Sequence, residues 1–194
     1  MSSIELEVLA VILIQSFWLI LPAYTPNSFA VIFGGGAPVD GGKMHADGRR
    51  IFGDGKTWRG LISGIICGFL VGVLQIWIES QVDYEHFIGF GSANTAYIII
   101  ILLPVGAMIG DLLGSYVKRR LDIPRGAKLM VLDQFDFLII AWLLVLIFNW
   151  QWFFERYIYD VHIFGLIFIL ILTMLLHRFT NIIGYKIGKK KEPW

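Results

Sequence analysis

Residues 53–78 read GDGKTWRGLISGIICGFLVGVLQIWI, and the reading of this stretch decides the fold. Its GKT core looks like the end of a phosphate-binding P-loop. The full pattern G-x-x-x-x-G-K-[ST], counted back from Gly55 and Lys56, requires glycine at position 50, where the chain has Arg50. A P-loop also stands between a strand and a helix of an α/β sheet. Here residues 61–78 are an uninterrupted apolar run of the length that crosses a bilayer. The segment is therefore the mouth of a transmembrane helix, and the question becomes why cations and glycines gather there.

Composition agrees. Of 194 residues, 57% are hydrophobic and only 16% charged, against roughly a quarter charged in soluble domains. The class expected is an all-α polytopic membrane protein. Cys67 is the single cysteine and lies in the apolar run, so neither a disulfide framework nor a thiolate metal cluster is expected. His45, His86, His162 and His177 lack ligand spacing, which argues against zinc. No nucleic-acid partner is expected. The N-terminal MSSIELEVLAVILIQSFW carries acids rather than lysines before its apolar run and reads as a retained first helix, not a signal peptide.

Five segments are apolar enough to cross, at about residues 6–23, 61–78, 95–117, 129–150 and 163–183, forming one integral-membrane catalytic domain over 1–194. Between them the basic residues are unevenly placed. Lys43, Arg49, Arg50, Lys56 and Arg59 fall in the loop 24–60; Lys118, Arg119, Arg120, Arg125 and Lys128 fall in 117–128; Arg178, Lys186, Lys189, Lys190 and Lys191 fall in the tail. The other side has only Arg156. The positive-inside rule then puts the N-terminus outside, the C-terminus in the cytoplasm, and the two basic loops on the cytoplasmic face of the cell membrane. Attraction to anionic lipid heads accounts for part of the asymmetry.

Three acids lie inside apolar spans: Asp111 in VGAMIGDLLGSYVKRR, and Asp133 and Asp136 in KLMVLDQFDFLII. A charge buried in a membrane is costly and points to function. At about 1.5 Å per residue, Asp111 is roughly 24 Å from the outer end of its helix, and Asp136 and Asp133 are roughly 21 and 25 Å from the outer end of theirs. All three share one level, just below the cytoplasmic surface of a core roughly 30 Å thick. Asp133 and Asp136, at i and i+3, share a helical face; Asp111, Ser115 and Lys118 form a stripe on the neighbouring helix. Carboxylates beside room for phosphates suit hard Mg²⁺, which takes one or two carboxylates and completes its shell with water and substrate oxygens. The competing structural reading has these acids paired with Lys118, Arg119 or Arg125 for mutual neutralisation.

Gly60, Gly64, Gly68 and Gly72 recur every fourth residue in the second span, as do Gly106, Gly110 and Gly114 in the third. Such stripes let helix backbones touch, within one chain or across a homodimer. The loop before the second span is rich in glycine, including Gly34, Gly35, Gly36, Gly41 and Gly42, whose N–H groups can turn toward an anion.

The run GDLLGSYVKRRLDIPRGAKLMVLDQFDF, residues 110–137, resembles the signature of the CTP-dependent cytidylyltransferases that activate membrane lipids: a GD, a serine, a basic pair, a loop and a D-x-x-D helix, in that order. PAYTPNSFAVIFGGG near the start and GDGKTWRG before the second helix are similar to the archaeal branch, the CDP-archaeol synthases. Bacterial and eukaryotic relatives usually carry H-G-G before D-R-x-D; here the loop reads PRGAK and the motif DQFD, with Gln134 in place of arginine, which favours an isoprenoid ether-lipid phosphate over phosphatidic acid. The resemblance implies transfer of CMP from CTP to a 2,3-bis-geranylgeranyl glycerol phosphate, with Mg²⁺ and release of pyrophosphate. It implies Asp111, Asp133 and Asp136 as metal-binding catalytic acids, with Lys118 beside them. Ser115, Lys118 and Arg119 would contact phosphate or nucleotide; Lys56, Arg59 and Asn27 would complete the CTP pocket; Lys43 and Arg125 would add charge for the substrates. A CTP-dependent lipid kinase and a transporter or scramblase are the alternatives.

Overall fold

A computed structural model of the chain describes residues 3–81, 87–123, 129 and 132–186. Five helices run through it: α1 (Ser3–Phe33), α2 (Trp58–Glu79), α3 (Ala93–Arg120), α4 (Leu132–Tyr157) and α5 (Ile163–Lys186), with a 3-10 turn at Asp160–His162. All five are long and apolar enough to cross a membrane. Among the described residues there are no strands, only isolated bridges joining Pro38 to Thr57 and Met44 to Arg50. The architecture is the all-helical, five-span one expected from the sequence.

The first helix corrects the expected boundary. Sequence ends it at residue 23, where Pro22, Thr25, Pro26 and Asn27 interrupt the apolar run; the structure continues it to Phe33. A proline inside a helix leaves the carbonyl four residues earlier without its donor. Pro22 does this to Trp18, and the side-chain amide of the buried Gln75 on α2 donates to that carbonyl at 2.6 Å. The carbonyl orphaned by the first of the two prolines inside α1 is thus satisfied by a neighbouring helix. Asn27, expected in a loop, stands on α1.

The two glycine stripes face different partners, both within the chain. On α2, a side chain at Gly68 would lie 2.6 Å from Pro104 Cβ and 2.7 Å from the Pro22 carbonyl; at Gly64 it would meet Met108 Sδ and the Pro26 carbonyl, each at 2.9 Å; at Gly72 it would meet Ile100. This stripe seats α2 against the prolines of α1 and the apolar face of α3. On α3, a side chain at Gly106 would lie 2.5 Å from Ala141 Cα of α4, and one at Gly110 would run into the Asp136 carbonyl. Since the stripes are consumed inside one chain, they lend no support to a homodimer.

At one end of the bundle the segment 87–91 is held by buried polar groups. Glu79 accepts from Trp18 Nε1 at 2.7 Å and from the Phe90 N–H at 3.2 Å. Arg156, buried, donates to the Gly89 carbonyl at 3.0 Å, and Gln15 accepts from the Ile88 N–H at 2.7 Å. The acids and the basic loop lie at the opposite end.

Gly68→Ala is expected to cost about 1–3 kcal/mol, the usual scale of overpacking against neighbours that cannot yield. Ile66→Ala, on the exposed side of the same helix, is expected to change stability far less. Thermal unfolding in detergent compares the two.

Candidate active site

The loop between α1 and α2 is built around one carboxylate. Asp40 lies in PVDGGK, where an aspartate before two glycines favours a turn whose N–H groups fold back onto the side chain. Its side chain is fully buried. It accepts from Arg50 Nη2 at 2.6 Å and Nε at 3.2 Å, and from the N–H groups of Gly42, Phe52 and Gly53 at 3.1, 3.0 and 2.9 Å. Gly42 and Gly53 have φ of 79° and 94°, which turns their N–H groups inward at little cost only for glycine. The Arg50 guanidinium, followed by these N–H groups, holds the Asp40 carboxyl well below the usual carboxylate range.

The loop is stapled to the end of α3. Arg120 pairs with Asp47 at 2.7 Å and donates to the Arg50 carbonyl at 2.6 Å, while Arg49 pairs with Asp122 at 3.2 Å. Thr57 joins the loop to α2: its hydroxyl caps the helix by accepting from the Gly60 N–H and also accepts from the Gly35 N–H, both at 3.2 Å.

These fixtures deliver Lys56 to Asp111. The ammonium lies 2.6 and 2.5 Å from the two carboxylate oxygens. Lys118 makes a second pair, its ammonium 2.5 Å from the buried Oδ1 of Asp133. Asp136 is the third acid. Its Oδ1 accepts the Phe137 N–H at 2.7 Å, and its Oδ2 occupies the space a Cβ on Gly114 would fill. No cation pairs with Asp136 among the described residues. It lies near enough to Asp111, Asp133 and Lys56 for their charges to act on it.

Two cavities meet at Gly55 and Lys56. One, about 380 Å³, is lined by Asn27, Gly34, Gly35, Thr57, Gly60 and Asp111, with Ala30, Val31, Leu61, Met108 and Leu112 as apolar wall. The Asn27 Oδ1 is buried there without a hydrogen-bond partner among the described residues. The other, about 280 Å³, is lined by Phe52, Gly53, Asp54, Ser115, Lys118 and Arg119. Neither Cys67 nor any described histidine lines either cavity.

The structure thus brings Asn27, Lys56 and Asp111 to one cavity and Lys56, Ser115, Lys118 and Arg119 to the other, while Asp133, paired with Lys118, and Asp136, against Gly114, line neither. Other residues anticipated from sequence stand elsewhere. Lys43 lines a shallow cleft beside Asp40 and Trp58; Arg59 is exposed on the first turn of α2 and lines neither cavity; Arg49 and Arg50, counted in sequence with the loop's free charge, are engaged as loop fasteners. Arg125 lies outside the described residues. Asp40 and Thr57 were not singled out from sequence, although the Asp-Gly-Gly turn and the threonine before a helix were visible signals for both.

Among the described residues no three His, Cys, Asp or Glu side chains converge tightly enough to share one ion. The donor set nevertheless fits a hard divalent cation, which needs one or two carboxylates when a substrate brings further oxygens. Asp111 and Asp136 on facing helices, with Asp133 beside Lys118, provide these.

Comparison with known proteins converges on one family. Residues 8–194 match the family described as "CarS-like: CDP-archaeol synthase". A CDP-archaeol synthase of Methanosarcina barkeri is 46% identical over 179 residues, covering 90% of this chain and 99% of that one. One of Pyrococcus horikoshii is 42% identical over 182 residues, covering 94% and 97%. A solved structure described as "Structural insight into an intramembrane enzyme for archaeal membrane lipids biosynthesis" superposes with a TM-score of 0.68 at 32% identity, over 88% of this chain and 94% of that one.

Two outcomes follow from the geometry. Gly114→Ala is expected to lower thermal stability by about 1–3 kcal/mol, and the loss is expected to shrink in an Asp136→Ala background, because the carboxylate that meets the new methyl is gone. A double-mutant cycle on unfolding temperatures measures this. Asp40 is more acidic in the folded chain than in the unfolded one, so its stabilisation is fully present above the ordinary carboxylate value of about 3.9 and fades as pH falls below it. Amide protection at Phe52 and Gly53, corrected for intrinsic exchange, is expected to hold from neutral pH to about 5 and to weaken in more acidic buffer.

Proposed function

Because this chain belongs to the CDP-archaeol synthase family, we propose that it transfers CMP from CTP to 2,3-bis-(O-geranylgeranyl)-sn-glycerol 1-phosphate, forming CDP-archaeol and pyrophosphate. The observation that carries the assignment of the site is Lys56, which lines both cavities and pairs with Asp111 in the wall of the larger one. The nucleotide spans both. Its phosphates lie against Lys56, Lys118, Arg119 and Ser115, and the glycine-lined cavity with Asn27 takes the remainder. The lipid phosphate arrives laterally at the level of the acids, its isoprenoid tails in the bilayer. The concentration of cations at this end supports placing the site on the cytoplasmic face.

The chemistry requires little proton transfer. A lipid phosphate is already an oxyanion near neutral pH; one of its oxygens attacks the α-phosphorus of CTP, and the bond from that phosphorus to the bridging oxygen breaks with pyrophosphate leaving. Neither Cys67 nor a described histidine lines the cavity walls, which suits such a reaction. The task left to the protein is alignment of two polyanions and neutralisation of developing charge. Lys56 and Lys118 are suited to this because each already lies against a carboxylate and can move from it to a phosphate oxygen. Arg119 has no ion-pair partner among the described residues and is open to the nucleotide. Asp111 and Asp136, with Asp133, would hold Mg²⁺, which when bound supplies Lewis-acid neutralisation of the triphosphate. Asp136 has no cation of its own and is the acid most dependent on that ion.

Purified protein in detergent, supplied with CTP, Mg²⁺ and the ether-lipid phosphate, is expected to release pyrophosphate and CDP-lipid in equal amounts, both followed by mass. Release of CDP with a phosphorylated lipid would assign a kinase instead. Asp136→Asn is expected to leave the fold intact and reduce product formation by at least about 100-fold, the scale of removing a preorganised charge from a reacting centre.

A further inference from the structure

The proposed function accounts for the residues that line the cavities but not for the most heavily bonded side chain in the loop, Asp40, which lines neither of the two. Its contacts lead to Lys56 by two routes. The Gly53 N–H donates to Asp40, and the Gly53 carbonyl accepts from the Lys56 N–H at 3.2 Å, so one turn separates the buried carboxylate from the lysine backbone. On the other side, the Val39 N–H, adjacent to Asp40, donates to the Lys56 carbonyl at 2.8 Å. The backbone of Lys56 is thus clamped at both its N–H and its carbonyl by groups that Asp40 organises. Arg50 closes the arrangement, gripping Asp40 with two nitrogens while its carbonyl accepts from Arg120 at the end of α3.

We propose that Asp40, held by Arg50, is a positioning residue for Lys56: it fixes the backbone of the 53–56 turn, so that the lysine side chain alone moves between Asp111 and the nucleotide phosphates. A lysine on a loose loop loses side-chain and backbone freedom together when it binds an anion; one on a clamped backbone loses only the former. Binding free energy is retained for the substrate because the loop is ordered beforehand. This inference depends on Lys56 being a nucleotide ligand, as proposed above.

The test is a double-mutant cycle on CTP affinity, measured by equilibrium binding to the purified full-length chain with Mg²⁺. Asp40→Asn keeps the shape of the side chain and removes the charge that Arg50 grips. It is expected to weaken CTP binding about tenfold when Lys56 is present and by less than about twofold in a Lys56→Met background, since residues that act through one another are non-additive. A purely structural role predicts the same factor in both backgrounds, and that result, or no weakening at all, would overturn the proposal. Lys56→Met binding CTP as tightly as the parent chain would instead remove Lys56 from the site and the functional reading with it. Arg50→Lys, which keeps the charge but not the two-nitrogen grip, repeats the cycle where Asp40→Asn does not yield folded protein. Failure of both variants to fold would show that Asp40 holds the fold rather than Lys56, and would also overturn the proposal.

Discussion

Apolar helices in a bilayer gain little from burying surface against one another, because lipid tails are as apolar as leucine; what draws them together is close packing and satisfied polar groups. In this chain that constraint is met by glycine. Along α3 the missing side chains of Gly106, Gly110 and Gly114 let α4 approach until the backbone of Asp136 lies on Gly110 and its carboxylate lies on Gly114. Asp111 is the residue between these glycines in the same stretch of helix. The approach of two backbones and the meeting of two acids are therefore one event, and every other part of the site is arranged around the charge it concentrates.

The loop 34–57 responds to that charge. It is short of apolar side chains and is ordered by polar contacts: Asp40 at its centre, Arg49 and Arg120 at its edge against α3, and Thr57 at its junction with α2. Each contact is made by a group that the chain must desolvate at least partly, which is worthwhile only if bonding is nearly complete. Asp40 achieves this with five hydrogen bonds, and the cost of its burial is offset. The result is a shelf, ordered by polar contacts, that carries the Lys56 ammonium to Asp111.

Much of this was legible in the sequence, for physical reasons that can be named. Span count followed from length and apolar runs, since a bilayer leaves the backbone few alternatives to helix. A common depth for Asp111, Asp133 and Asp136 was expected from helical rise, and the structure brings the three acids near enough for their charges to interact. The end of α1 was not legible, because two prolines inside a helix read as a stop, and the partner that satisfies the carbonyl orphaned by Pro22, Gln75, is fifty-three residues away in sequence. The roles of the loop cations were not legible either. Arg50 and Lys56 are both basic, six residues apart, yet one grips Asp40 and the other Asp111; only the register set by the Asp40 turn separates them. The partners of the two glycine stripes likewise needed the three-dimensional arrangement.

The order of the ion pairs along the chain bears on how the protein enters the membrane. A lone aspartate in a nascent span opposes insertion, by up to about 3 kcal/mol at the helix centre and less toward its ends, and chains emerge N-terminus first. Lys56 precedes Asp111, and Lys118 precedes Asp133. When each of these two acids leaves the ribosome, the base that neutralises it has already been synthesised at the basic end of an earlier segment. Only Asp136 arrives with no such partner among the described residues, and it is delivered onto the bare backbone at Gly114 of a helix made before it. The same pairs that keep the resting site electrically balanced thus give the nascent chain a sequence of assembly in which two of the three costly charges meet counter-charges already made.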